Sequence, residues 1–349
     1  MITNSEQNLH ETVDIFLDDK HGGDLSDVKR INKKIKKWID LSTGINPNPY
    51  DKFDIDKKIY SYLPSCEQVE ELMSIAKEYY NLHHEIKICA YQGAQGIINI
   101  IPNLVDKKIY DTIQILTPTY TEHYRVWNHY GFKIRLVTNI ETDLDPSIPF
   151  VLVNPNNPDG KLLQPKYLED LWKKINKAHG LLILDESFMD GTPDMSFKFD
   201  RHRDNVIVIR SFGKFFGLPG LRLGFVYGDN HYINKVSSLV GPWPISSSSL
   251  LIARKAMLDT VWISATIADL KMKSTVLSNF LRDQKMKMVG DCYFFKTIEV
   301  DSASQIHKAL ANHGIWTRIF NYNQKWLRIG LTKNKFEFEY LANTIMDIL

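Results

Sequence analysis

The stretch VIVIRSFGKFFGLPGLRLGF, residues 206–225, decides how this chain is read. Val206 to Ile209 is an apolar, β-branched run of strand character, and it delivers Arg210, Ser211, Gly213 and Lys214 onto a turn. A lysine set after a buried strand among bulky apolar residues is one whose amine loses solvation, which lowers its pKa and makes it a nucleophile able to form Schiff bases. The plainer alternative is a surface lysine in a turn.

Two neighbouring stretches bear on the choice. LLILDESF, residues 181–188, is an apolar strand ending in two acids. Ligands of parallel sheets bind beyond the carboxyl ends of the strands, so Asp185 and Glu186 are expected to face a site. A magnesium-binding strand of an ATPase would look similar, but it needs a GxxxxGK[ST] loop. The GK pairs here are Gly160-Lys161, followed by Leu, and Gly213-Lys214, followed by Phe. VNPNNPDG, residues 153–160, follows a third apolar strand and can be read as a tight turn or as part of the same crevice. Taken together, three strand ends carry Asn157, Asp185 and Lys214 towards one place.

Strand-like runs at Ile113–Leu116, Phe150–Val153, Leu181–Leu184, Val206–Ile209 and Leu223–Val226 alternate with helical stretches such as Pro165–Ala178, the α/β pattern of a mostly parallel sheet. At Gly241-Pro242-Trp243-Pro244 two prolines and a glycine mark a hinge. Beyond it the pattern gives a long helix from about Ser248 to Gln284, a strand Cys292–Val300, a helix Ser304–His313 and a strand Trp326–Leu331, an α+β domain.

Composition narrows the functional classes. With 349 residues, 44% hydrophobic and 24% charged, the chain is neither disordered nor fibrous. Lys plus Arg (43) nearly balances Asp plus Glu (41), so no global field favours nucleic acid or an acidic membrane. The lysine cluster between Lys29 and Lys37, with Ile31 and Ile35 four apart, reads as a solvated amphipathic helix. Cys66, Cys89 and Cys292 are too few for a disulfide framework or a cysteine zinc site and read as small core residues in a reducing compartment. The start lacks a signal-like pattern and no apolar run spans a membrane, which predicts a soluble cytoplasmic protein.

In order and spacing, AYQGAQGIINII, LTPTYTEHYRV, VNPNNPDGKLL, LLILDESF, RSFGKFFGLPGLRLGF and KWLRIGL resemble the class I and II pyridoxal-phosphate aminotransferase family across nearly the whole chain. Within it, HGGD (residues 21–24), DLSTGINPNP (40–49) and RSFGKFFGLPGLRLGF look most like the threonine-phosphate decarboxylases of cobalamin synthesis, relatives of histidinol-phosphate aminotransferases. The resemblance implies an α/β, aspartate-aminotransferase-like fold: an N-terminal segment 1–48 packing with the small domain, a large pyridoxal-phosphate-binding domain 49–240 with a mostly parallel sheet, and a small α+β domain 241–349. It also implies a homodimer.

The same resemblance implies the residue roles. Lys214 would carry pyridoxal 5'-phosphate, Asp185 would pair with its ring nitrogen so that the ring accepts electrons, and Asn157 would donate to its phenolic oxygen. Tyr120 would stack on the ring. The turn Gly93-Ala94-Gln95, opening a helical run Gly96–Leu104, would face the phosphate together with Ser211 and Arg222. Arg328 would clamp the substrate's acidic group. A phosphorylated amino-acid substrate needs a second cation, for which Arg318 and His21 are candidates, each with a plainer reading as a surface salt bridge or a loop histidine. Phe188 stands where relatives have a tyrosine, Gly213 where many have Ser or Thr, and Leu63 where a tyrosine reaches the neighbouring subunit's phosphate, unless Tyr62 takes that role. The expected reaction is decarboxylation of L-threonine O-3-phosphate. An aminotransferase using 2-oxoglutarate and a non-catalytic ligand-sensing protein are the alternatives.

Overall fold

The structure, a computed structural model, describes residues 21–348. It divides into two compact units. The larger takes residues 48–157 and 162–269, and the smaller takes the N-terminal part up to Pro47, the short segment Pro158–Lys161, and Leu270 onwards.

The described chain opens in the smaller unit with a helix Ser26–Ile31 and a strand β1 (Ile39–Asp40). The larger unit is built on seven strands: β2 (Lys87–Tyr91), β3 (Thr112–Leu116), β4 (Lys133–Val137), β5 (Phe150–Val153), β6 (Leu182–Asp185), β7 (Val206–Ser211) and β8 (Gly224–Gly228). Their order is β2-β8-β7-β6-β5-β3-β4, parallel from β7 to β4, with β8 antiparallel to both of its neighbours. Every residue of β5, β6, β7 and β8 is buried. Burial on both faces is why these strands read as continuous apolar runs. The edge strand β4 (KIRLV) alternates exposed and half-buried residues before a buried Val137.

The smaller unit holds a four-stranded antiparallel sheet, order β12-β13-β10-β9, from β9 (Lys287–Cys292), β10 (Phe295–Glu299), β12 (Arg318–Phe320) and β13 (Asn323–Gly330). Strand β11 (Ile315–Trp316) pairs in parallel with β1, which ties the stretch after residue 38 to this unit. Segment 158–161 is clamped by the β9–β10 hairpin. The Thr297 hydroxyl donates to the Pro158 carbonyl, and a Cβ on Gly290 would fall 1.3 Å from the Asp159 carbonyl oxygen.

Several boundaries differ from the sequence reading. Residues 241–269 stay with the larger unit, because the helix Ser247–Leu258 packs on Cys66–Tyr79 and Arg254 pairs with Glu71. The expected long helix is two, Ser247–Leu258 and Thr260–Asp283, since the Asp259 carboxylate accepts the Trp262 amide at 2.9 Å and so starts a new helix. The strand expected at 292–300 is the second arm of a hairpin that turns at Tyr293–Phe294. The lysine-rich helix covers Ser26–Ile31 and stops short of Lys33 to Lys37. Cys66 is exposed, while Cys89 and Cys292 are buried. No helix among the described residues is long and apolar enough to cross a membrane.

Candidate active site

Parallel register sets the ends of β5, β6 and β7 side by side: Val153 lies opposite Asp185, and Asp185 opposite Ile209. The turns after these three strands therefore all leave at one edge of the sheet. The turn after β5 is fixed by Asn156, which takes the Thr119 hydroxyl at 2.7 Å and donates to the Pro118 carbonyl at 2.9 Å. Asn157, half-buried, comes next.

Asp185 is 2% exposed. Its Oδ2 lies 3.0 Å from His123 Nε2, and its Oδ1 accepts the Ser187 amide at 2.9 Å. Burial works against its charge, but His123 and the hydroxyl and amide of Ser187 outweigh it and hold the carboxyl below its usual range. An ionised, enclosed carboxylate is what a protonated ring nitrogen requires. His123 was not singled out in the sequence, although it sits three residues after Tyr120 in PTYTEH, in the first turn of helix Thr121–His129, whose N-cap is Tyr120.

Glu186 does not face this site. Successive strand residues point to opposite faces, and Glu186 turns away into the core. There it accepts Arg210 at 2.7 Å, the Ser196 hydroxyl at 2.6 Å and the Phe197 amide at 2.8 Å. Arg210 also pairs with Asp190 and lies over the Tyr80 ring at 4.5 Å, so it too belongs to the core and not to the turn.

Lys214 is on the one-turn helix Phe212–Phe215 that follows β7. It is half-buried, with Nζ 5.2 Å from the centre of the Phe188 ring and with Phe212, Phe215 and Phe216 fully buried around it. Gly213 has a packing reason: a Cβ there would stand 2.8 Å from the Pro219 Cα, so a serine or threonine would push the GLPG turn away.

The helix expected at 96–104 begins earlier, as Gly93–Ile100 followed by a 3-10 turn Ile101–Leu104. Gly93 has φ +77°, and a Cβ on it would meet Arg222 Nη2 at 2.9 Å. Gly224, paired with Ser211 across β7 and β8, lets the Ala94 amide approach to 2.5 Å of where its own Cβ would be. First-turn amides, which a helix does not itself satisfy, a guanidinium and the buried Ser211 thus gather around a cradle kept open by two missing side chains. Amide dipoles and a cation converging in this way are complementary to a phosphate. The Gln95 side chain is already used. It accepts the Tyr120 hydroxyl at 2.9 Å and donates to Glu122 at 2.8 Å, which holds Tyr120 edge-on to the His123 ring. Burial, then Glu122, push the Tyr120 phenol above its ordinary range, so it stays a neutral hydroxyl.

In the smaller unit Arg318 and Arg328 are directly opposed across β12 and β13, on one face of the sheet. Both are buried. Arg328 donates to the Ser42 carbonyl at 2.6 Å and lies over Phe295; Arg318 lies over Phe320. Like charges opposed across a ladder repel, and an anion between them removes the penalty. Burial, Arg318 and Lys308 push the His307 imidazole down to about 4, so it adds no third charge. His21 is exposed, but its loop is held against Ser42, whose hydroxyl takes the Gly23 amide at 2.9 Å. Tyr62 and Leu63 are exposed on the larger unit.

Residues 53–345 match the family model of aminotransferase class I and II. A threonine-phosphate decarboxylase from Sinorhizobium sp is 32% identical over 328 residues, 93% of this chain and 97% of the relative. A histidinol-phosphate aminotransferase from Pelagibacter ubique is 26% identical over 87% of this chain and 91% of its own length. Among solved structures, histidinol-phosphate aminotransferase from Sinorhizobium meliloti in complex with pyridoxal-5'-phosphate superposes with a TM-score of 0.76 at 16% identity, covering 93% of this chain and 94% of that one. The chain belongs to the aminotransferase class I and II family and is a pyridoxal-phosphate-dependent enzyme.

Proposed function

We propose that this enzyme decarboxylates L-threonine O-3-phosphate to (R)-1-amino-2-propanol O-2-phosphate, a step of cobalamin synthesis. The observation that carries the reading is the buried, cross-strand Arg318–Arg328 pair, two guanidiniums for a substrate with two anionic groups. The 32% identical threonine-phosphate decarboxylase supports it.

The cofactor, when bound, supplies an electron sink for the bond broken at Cα. Lys214 Nζ would hold it and would return a proton to Cα, a task suited to a half-buried amine on a short helix whose other residues are buried. The Asp185 carboxylate, aimed by His123, keeps a proton on the ring nitrogen. Asn157 donates to the phenolic oxygen, and Phe188 contributes a ring face with no hydroxyl. Tyr120, held by Gln95, covers the ring and limits water. The amides of Gly93, Ala94 and Gln95, with Ser211 and Arg222, take the cofactor phosphate. Arg328 takes the substrate carboxylate, and Arg318, with His21, its phosphate.

The enzyme acts as a homodimer in the cytoplasm. The exposed Tyr60, Tyr62, Leu63 and Trp243, which line one depression beside Arg222, support a second copy covering that face, and the free cysteines suit a reducing compartment. Sedimentation of the purified protein tests the dimer.

Purified protein supplied with pyridoxal phosphate and no oxo acid is expected to release carbon dioxide from L-threonine O-3-phosphate, and Lys214→Ala to release none. The 26% identical histidinol-phosphate aminotransferase supports a second reading. No carbon dioxide, with amino-group transfer that requires 2-oxoglutarate, would replace the decarboxylase with that aminotransferase.

A further inference from the structure

Asn157 stands where the chain passes from one unit to the other: it is the last residue of a stretch of the larger unit, and Pro158–Lys161 belong to the smaller. It is flanked by two anchors. Before it, Asn156 is held within the larger unit by the Thr119 hydroxyl and the Pro118 carbonyl. After it, within the smaller unit, the Pro158 carbonyl accepts the hydroxyl of Thr297, a fully buried residue of β10.

The second anchor is closely built. Register sets Gly290, Thr297, Arg328 and Arg318 opposite one another in turn, one row across β9, β10, β13 and β12, so their side-chain positions share a face of the sheet. A bulge follows at once: Thr297 pairs with Gly290 but Ile298 with Met288, which leaves Val289 over. Bulges of this kind re-aim the side chain beside them. Gly290 leaves room for the Asp159 carbonyl, and a Cβ on Gly160, whose φ is +69°, would lie 2.9 Å from the Cys292 nitrogen. The Lys161 amide then closes on the Asp159 carboxylate at 3.1 Å. Residues 158–161 are therefore laid on the hairpin without slack.

Proline makes the hydroxyl decisive. Pro158 has no N–H and its φ is fixed by its ring, so the carbonyl is the one backbone group by which it can be hydrogen-bonded. Holding that carbonyl orients the residue and, through the planar peptide bond, the backbone of Asn157. A valine would fill the same space as Thr297 and offer the carbonyl nothing. We propose that Thr297 is a positioning residue for Asn157: acting through the Pro158 carbonyl, its hydroxyl sets the Asn157 amide for the phenolic oxygen of the cofactor. This rests on the role given to Asn157 above. Phe188 has no hydroxyl with which to share that task, so the aim of Asn157 carries it.

The readout is the visible cofactor band of the holoenzyme, followed against pH without substrate, which keeps the neighbouring Arg328 out of the measurement. Its midpoint reports loss of the proton held between Lys214 Nζ and the cofactor. A donor at the phenolic oxygen favours the more negative form left behind, so weakening that donor raises the midpoint. Asn157→Ala is expected to raise it by about one pH unit or more, and Thr297→Val by about half a unit or more, as loss of a hydrogen bond to a charged oxygen implies. Thr297→Ser separates aim from packing: it gives up a buried methyl and so lowers the urea midpoint, yet it keeps the hydroxyl and is expected to keep the parent's spectral midpoint. Should Thr297→Val fail to fold, Thr297→Cys takes its place, a weak donor of similar size expected to shift the band in the same direction. A spectral midpoint unmoved in Thr297→Val or its replacement, or moved as far in Thr297→Ser, would overturn the proposal while Asn157→Ala still shifts. An unmoved midpoint in Asn157→Ala would instead overturn the role of Asn157, and this inference with it.

Discussion

Gly224→Ala tests the cradle directly. Gly224 is the first residue of β8, and an added Cβ would lie 2.5 Å from the Ala94 nitrogen, 2.7 Å from the Gly93 carbonyl carbon and 2.9 Å from the Arg210 carbonyl oxygen. All three atoms are backbone, so no side chain can swing away. Ordinary contact begins at 3.4 Å against the 2.5 Å found, and the first turn of Gly93–Ile100 must retreat by about 0.9 Å. Overpacking of this kind costs about 1–3 kcal/mol. The same shift takes the Ala94 amide beyond hydrogen-bond range of a phosphate oxygen, and a lost bond to a charged group is worth about 1.5–3 kcal/mol, or about 10–150-fold in cofactor dissociation. The assay is absorbance titration of the apoprotein with pyridoxal phosphate, beside a urea midpoint. Gly220→Ala, four residues earlier, is the control: its Cβ meets nothing within 4 Å and its φ is not left-handed, so neither quantity should fall. Unchanged cofactor affinity and midpoint in Gly224→Ala, within twofold of the parent, would refute the cradle geometry.

Three further substitutions separate the other parts. The depressed Asp185 carboxyl contributes stability that is full above an unfolded value of about 3.9 and is lost as pH falls through its lower folded value. His123→Phe should therefore cost about 1.5–3 kcal/mol near pH 7, with the penalty shrinking as pH falls through the carboxylate range, as read from urea midpoints at several pH values. Arg210→Met leaves Glu186 and Asp190 buried without their counter-charge and should cost about 3–5 kcal/mol at neutral pH. Burial already raises both carboxyls, so protonation on mild acidification should return part of that loss, and a flat pH profile would contradict the assignment. Gly290→Ala sets a Cβ 1.3 Å from the Asp159 carbonyl oxygen, a distance no local adjustment absorbs, and thermal melting should drop by several degrees or the protein fail to fold.

The chemistry-bearing strand ends were legible because β5, β6 and β7 are buried on both faces, so each announces itself as an unbroken apolar run with a polar residue just past it. Strands β2 and β4 were not, since KICAY and KIRLV are the two edge strands, each opens on a lysine, and KIRLV carries an arginine as well. The unit boundary was misplaced for a related reason. Gly241-Pro-Trp-Pro is a true local break, but membership of a unit is decided by what packs on what, and helix Ser247–Leu258 finds its partner far back in the sequence at Cys66–Tyr79.

What the sequence could not supply is the direction of a side chain once its strand is placed. Asp185 and Glu186 are neighbours of like charge at the end of one apolar run, and nothing in the letters separates them; the pleat sends the first to His123 and the second to Arg210. The converse holds for Arg318 and Arg328, ten positions apart in sequence yet opposed by the antiparallel register of β12 and β13. A one-residue slip of that register would turn one guanidinium to the other face and remove the pair. The doubly anionic substrate proposed here thus rests on a hairpin register, and a chain with both arginines but a different β12–β13 loop length would not carry the same inference.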